Sequence, residues 1–318
     1  MFNPKMSSLL SVLGLLTCPV VAWGPSGHQA VGYVAMQFLS DRSAEYVKNT
    51  LGPAYSGNLG IAATWADDVR RQPEYRWSGP LHYVDTEDSP PTACHVLSED
   101  CGDGCILSAI SNYTTRVVDQ TLPVYQRHEA LKFLIHVRLL EQSSKVNLFT
   151  LKVSKGAAND IPTKCSGRQM NLHSVWDDGM IEKMLQNQYN SSVKAWANAL
   201  GHRVKTGEYN ATVWLDCASP FAQDATGKER SCPLVWAQES NALDCSFVWS
   251  YTSFSDLCTI TDINGGGDSP YYTTAIPIIE TQIAKQGVRF AEWLDVIVDV
   301  AMNGASDYPS VAQIPLSL

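Results

Sequence analysis

Charge is scarce in this chain, and positive charge is scarcer. Only 17% of the 318 residues are Asp, Glu, Lys or Arg, and 32 acids outnumber 23 bases for a formal net charge of −9. That balance excludes a broad basic surface that attracts polyanions at long range. Any such attraction must be local, and bound cations would supply it. After the first 22 residues, no continuous apolar run is long enough to span a bilayer. Also missing are a Pro/Gly/Ser-rich linker, an internal repeat and a low-complexity tract, so one domain over residues 23–318 is expected. The cysteines lack paired CxxC spacing, which argues against a cysteine zinc site.

Export is written into the first residues. Lys5 gives a positive start, Leu9 to Val21 an apolar run, and Val20-Val21-Ala22 a small-residue cleavage site. Residues 1–22 therefore read as a signal peptide, and the mature chain begins at Trp23. Losing Lys5 moves the formal charge from −9 to −10. Of nine cysteines, only Cys18 falls in the leader, which leaves an even number for disulfides in an oxidising compartment. Eight cysteines allow 105 pairings. Cys101 and Cys105 are near enough to close a short loop, and Cys94 and Cys245 are further disulfide candidates. Asn112, Asn190 and Asn210 head glycosylation acceptors, which suits a secreted protein.

Helical periodicity dominates the rest. It predicts helices over Gln29 to Leu39, Asp41 to Leu51, Ala109 to Asp119, Glu129 to Leu140, Met180 to Gln188 and Ser191 to Leu200. A long closing helix is expected near Ile278 to Met302, started by Pro277. Leu81 to Asp85 alternates like a short strand. The fold class is mainly α, with long irregular loops at 86–104 and 264–270.

Histidine is rare, with seven in all, so each one near an acid is worth examining. Trp23-Gly-Pro-Ser-Gly-His28 would stand at the mature N-terminus. A free α-amine titrates near ~7.7–8.0, low enough for a dication to deprotonate it. The amine, the Trp23 carbonyl and His28 could chelate one metal. Thr64-Trp-Ala-Asp67-Asp68-Val-Arg70 places a carboxylate and a guanidinium three residues apart, on one helix face. Asp67 suits a metal and Arg70 a phosphate oxygen; a surface ion pair uses the same spacing. In Leu81-His82-Tyr83-Val84-Asp85, His82 could ligate a metal, Tyr83 could stack on a base and Asp85 could accept hydrogen bonds from one. His173 and Asp177 are four apart, which stacks a nitrogen and an oxygen ligand side by side. His136, on an apolar helix, also reads as a hydrogen-bonded core histidine.

Taken in order, WGxxGH, WADDVR, LHYVDT, LKFLIH and NLHSVWD resemble the S-one/P-one nucleases, secreted single-strand-specific zinc enzymes of fungi and plants. The likeness extends to the closing PIIETQIAKQGVRFAEWL segment. It implies a helical fold similar to that of zinc-dependent phospholipase C, with three zinc ions at the base of a cleft. By that resemblance Asp67, His82 and His136 hold the first zinc, and His173 and Asp177 the second. The Trp23 amine and carbonyl with His28 hold the third. Arg70 holds phosphate, and Tyr83 with Asp85 forms the base pocket. The implied substrates are single-stranded DNA, RNA and 3′-nucleotides, with 5′-nucleotides as products. No membrane or protein partner is implied, and a monomer is expected.

One stretch departs from the pattern. After His136 the family reads approximately HFxGDxHQPLH, whereas this chain reads His136-Val-Arg-Leu-Leu140 and continues to Val146. The aspartate that bridges the first and third zincs falls on Leu140, and a histidine of the second falls on Val146. Three readings follow: an active nuclease with altered ligands, a paralogue that binds without cutting, or a gene-model error over residues 137–155, from a misplaced splice boundary or a frame-shifted stretch. A phospholipase-C-like phosphodiesterase is a further alternative, which the Tyr83–Asp85 pocket disfavours.

Overall fold

The computed structural model describes residues 23–140, 161–222, 231–249, 255–260 and 267–303. The proposed leader and Val146 lie outside them, and of Leu140 only the backbone is described. Eleven α-helices follow one another in the described residues. They are α1 Pro25–Ala35, α2 Asp41–Leu51, α3 Leu59–Ala62, α4 Trp65–Val69, α5 Ile106–Val118 and α6 Val124–Leu140. Then come α7 Leu172–Ser174, α8 Met180–Gln188, α9 Val193–Lys205, α10 Cys232–Leu243 and α11 Pro270–Asn303. Two short antiparallel pairs are the only sheets among the described residues. β1 Pro162–Cys165 pairs with β2 Arg168–Asn171, and β3 Thr259–Ile260 pairs with β4 Gly267–Asp268.

Local chemistry sets the helix boundaries. Pro25 opens α1, where its missing N–H leaves no bond unmade. Ser40 caps α2 by accepting from the Ser43 amide, and Asp41 and Lys48 sit at the ends their charges favour. Asn58 caps α3 through the Gly60 amide. α1 packs on α3, α9 and α11. Its crossing with α3 needs Gly32, because a Cβ there would lie 2.6 Å from the Gly60 Cα. That close approach brings His28 toward the segment that carries Asp67.

α5 and α6 pack as a pair, with Tyr113 stacked on Phe133 at 4.7 Å between ring centroids. α11 is held by charge as well as by apolar contact. Arg203 of α9 bonds Glu280 at 2.7 Å, and Arg289 grips Glu239 of α10 through both Nη atoms. Four disulfides join Cys94 to Cys245, Cys101 to Cys105, Cys165 to Cys258 and Cys217 to Cys232. All eight cysteines from Cys94 to Cys258 are thus paired.

Three expectations are corrected. Pro277 does not start the closing helix, which begins at Pro270 and carries Pro277 inside it. Pro277 and Thr273 both lie on the exposed face, where water can take the carbonyl that the absent N–H leaves. Residues 81–85 form no strand. His82 ends a 3₁₀ stretch from Pro73, and the chain beyond it forms no strand ladder, though the Tyr83 carbonyl accepts from the Ile106 amide at 3.0 Å. The alternation was real all the same: His82, Val84, Thr86 and Asp88 are buried while Asp85 and Glu87 are exposed. Finally, the His173–Asp177 segment is not a plain α-helix. α7 passes into a π-turn at Val175–Gly179 before α8, a widening that recurs at functional sites.

Candidate metal centre

Four histidines are buried, and they are the four that the motifs singled out: His28, His82, His136 and His173. His95 and His202 are exposed and His128 is half-buried. α1 supplies His28, α4 Asp67, the end of the 3₁₀ stretch His82, and α6 His136. Asp67 is the hub. Its Oδ2 lies 3.7 Å from His28 Nε2, and its Oδ1 lies 3.8 Å from His82 Nε2 and 3.6 Å from His136 Nε2. Donor atoms of His28, Asp67 and His136 all fall within 4.8 Å of one another. The His28 and His136 rings stack at 4.6 Å, and His82 meets His136 edge-on at 4.8 Å.

Backbone carbonyls aim the rings. His82 Nδ1 lies 2.8 Å from the Ser78 carbonyl, and His136 Nδ1 lies 2.8 Å from the Ala63 carbonyl. A carbonyl only accepts, so each Nδ1 carries the proton and each Nε2 keeps its lone pair. Burial takes His28 well below the usual imidazole range, His82 down to about 3 and His136 to about 4, and the charge of Arg70 adds to each. The rings are therefore neutral at neutral pH. Burial pushes the Asp67 carboxyl up, against the opposing charge of Arg70.

The Nε2 atoms of His28, His82 and His136 and Oδ1 of Asp67 have no hydrogen-bond partner. An unpartnered buried polar atom costs about 1–3 kcal/mol. Four together cost on the order of 4–12 kcal/mol, comparable with the whole net stability of a domain at about 5–15 kcal/mol. Such convergence suits a divalent metal that accepts imidazole and carboxylate ligands, and zinc fits this set.

The second set lies alongside. His173 Nε2 is 2.7 Å from Asp177 Oδ2, so the two side chains meet across the π-turn. The Gly24 amide donates to the Asp177 carbonyl at 3.1 Å, which ties the Trp23 segment to this turn. A Cβ at Gly24 would stand 1.7 Å from Asp178 Oδ1 and 3.1 Å from the Asp177 carbonyl oxygen, so a side chain there would displace the Asp178 carboxylate. Trp23 itself is buried. Trp176, beside Asp177, is a core residue that donates to the Tyr271 hydroxyl at 3.0 Å.

Arg70 and the extended segment complete the surroundings. Arg70 Nε is 3.4 Å from Asp67 Oδ1, and its buried Nη2 has no partner. A guanidinium with one edge on the hub carboxylate and one donor unspent is placed for an anionic oxygen. Tyr83 is half-buried, within electrostatic reach of both Asp85 and Arg70. Asn112, Asn190 and Asn210 are all exposed. Sequence reasoning missed the Ala63 and Ser78 carbonyls and the contact of Asp178 with Gly24. Backbone carbonyls carry no residue-type signal, though Ser78 stands one turn before His82.

Comparison with known proteins gives the family. The S1/P1 Nuclease family model matches residues 23–299. The chain is 35% identical over 281 residues to Nuclease P1 of Penicillium citrinum, covering 86% of this chain and 97% of that protein. It is 32% identical over 303 residues to Nuclease S1 of Aspergillus oryzae, covering 92% and 98%. Endonuclease 3 of Arabidopsis thaliana is 29% identical over 294 residues, covering 90% and 92%. Family model, coverage and identity together place this chain in the S1/P1 nuclease family.

Proposed function

We propose that this chain is a secreted, zinc-dependent endonuclease that hydrolyses single-stranded DNA and RNA to 5′-nucleotides and also removes 3′-phosphates from nucleotides. The observation that carries the reading is the convergence of three imidazole Nε2 atoms on Asp67, with no hydrogen bond to satisfy them. Asp67, His82 and His136 would hold one zinc, His173 and Asp177 a second, and Trp23 with His28 a third. Zinc there supplies positive charge to the phosphodiester and acidifies water for attack on phosphorus.

The chain's own residues do the rest. Arg70 holds a phosphate oxygen through Nη2. Tyr83 stacks on a base, which a duplex does not expose, and Asp85 accepts from the base's amino or imino groups. Ala63 and Ser78 keep His136 and His82 in the tautomer whose lone pair faces Asp67. Complete cysteine pairing supports secretion. We take residues 1–22 as the leader, 23–318 as one domain, the monomer as the working unit and Asn112, Asn190 and Asn210 as glycosylated.

A second reading, a paralogue that binds without cutting, is favoured by Leu140 and Val146 standing where the family carries ligands. One experiment separates the two. Purified protein is assayed for zinc and for cleavage of denatured DNA, duplex DNA and phosphatidylcholine. Two or more zincs with preferential cutting of denatured DNA support the nuclease. Fewer than two zincs and no cleavage leave the binding reading. Preference for the lipid would overturn both.

A further inference from the structure

Away from this centre, a second group of buried oxygens lacks hydrogen-bond donors. Asp244 is fully buried where α10 passes into the π-turn Asp244–Val248, and neither carboxylate oxygen has a hydrogen-bond partner. Asn241, one turn earlier on the same helix, is equally buried, and its Oδ1 is likewise unpartnered. Asn241 Nδ2 lies 2.6 Å from Asp88 Oδ2, an acceptor, which fixes the amide's orientation and identifies its unpartnered atom as the oxygen. Asp88 also accepts from the Thr86 hydroxyl at 3.0 Å and the His95 amide at 3.1 Å. The charge acting on Asp244 among the described residues is that of Asp88, of the same sign.

We propose that Asp244, Asn241 Oδ1 and Asp88 form a buried site for a hard divalent cation of the calcium type, separate from the centre at Asp67. A proton shared between the two carboxyls would satisfy one Asp244 oxygen and leave the other, and Asn241 Oδ1, unpartnered. A water molecule donates two hydrogens to three acceptors and leaves the Asp244 charge unopposed. A cation meets all three oxygens and opposes the charge. The donors are oxygens throughout, with no imidazole or thiolate, which selects calcium over zinc. The site joins the extended segment after Tyr83 to the end of α10, the two parts that Cys94–Cys245 also links. Its cation braces the chain that carries Tyr83 and Asp85.

The test uses the full, zinc-loaded protein. Equilibrium dialysis against calcium chloride, read by elemental analysis, should give one calcium per chain. Calcium at a hundredfold excess over its Kd should raise the Tm by about 5 °C. Asp244→Asn should abolish the binding and the rise while zinc content stays unchanged, and Asp67→Asn should keep the calcium. If Asp244→Asn does not fold, the wild-type dialysis decides alone. No calcium on the wild type overturns the proposal, as does equal calcium on Asp244→Asn. An Asp244→Asn protein that melts above the calcium-saturated wild type also overturns it, because a neutral acid then suits the site.

Discussion

His136 Nε2 faces Asp67 Oδ1 across 3.6 Å, and neither atom has a hydrogen-bond partner. Both are held from behind or beside, His136 by the Ala63 carbonyl and Asp67 by Arg70. The pair is presented to a third body rather than satisfied within the chain.

Replacing Asp67 tests that presentation. Asp67→Asn keeps the shape and removes the charge, so it should lose zinc and lower cleavage of denatured DNA by about 10²–10³-fold or more. The zinc-free variant should unfold no more easily than zinc-free wild type, because a buried charge has gone. Elemental analysis, rate assays and urea melts read the three outcomes.

Acid should weaken the zinc-free protein through these rings. An unfolded histidine takes up its proton near pH 6.5, while folded His82 and His136 stay neutral down to about 3 and about 4. Below pH 6.5 the unfolded state therefore binds more protons, and stability falls as pH falls toward 4. The raised Asp67 carboxyl works in the opposite direction and offsets part of the loss. Urea midpoints should drop between pH 7 and pH 4.5, and His136→Gln should flatten the slope.

The extended segment should govern binding more than turnover. Tyr83→Ala removes a stacking surface worth roughly 1–3 kcal/mol, or about 5- to 150-fold in KM for oligonucleotides. Tyr83→Phe should stay near wild type. Asp85→Asn should change preference among bases, read from product ratios on mixed-sequence oligonucleotides.

Leu140 stands one turn after His136 on α6. If the carboxylate missing there limits metal loading, Leu140→Asp together with Val146→His should raise the zinc count and increase cleavage about tenfold or more. Unchanged zinc in the double variant would show that the existing ligands already suffice.

Gly24→Ala should disturb the N-terminal ligand group, since its Cβ would strike Asp178 Oδ1 and crowd the Asp177 carbonyl at 3.1 Å. Overpacking of this kind costs about 1–3 kcal/mol. A lowered Tm with partial loss of zinc is expected.

Much of this was legible in the sequence because helices and ligands both leave periodic marks. Asp41–Leu51 and Met180–Gln188 have the bounds that the apolar spacing predicts. Asp67 and Arg70 share a face, and His173 meets Asp177, as their spacings require. What stayed hidden was tertiary. No pattern reveals that His28 stacks on His136, a contact made where α1 packs on α6. The Pro270 start of α11 was masked by Pro277, because a solvent-facing proline inside a long helix and a proline at a helix start look alike in one dimension. Residues 81–85 alternate like a strand, but the alternation starts on the last residues of a 3₁₀ stretch and runs into extended chain at Tyr83, and it does not report whether a partner strand is present.

Zinc content per chain, compared between wild type and Asp67→Asn purified side by side, tests the central claim most directly. At least two zincs in the wild type and fewer in the variant are expected. A wild type that cleaves denatured DNA without zinc, or a variant that keeps the full complement, would contradict a metal centre built around Asp67.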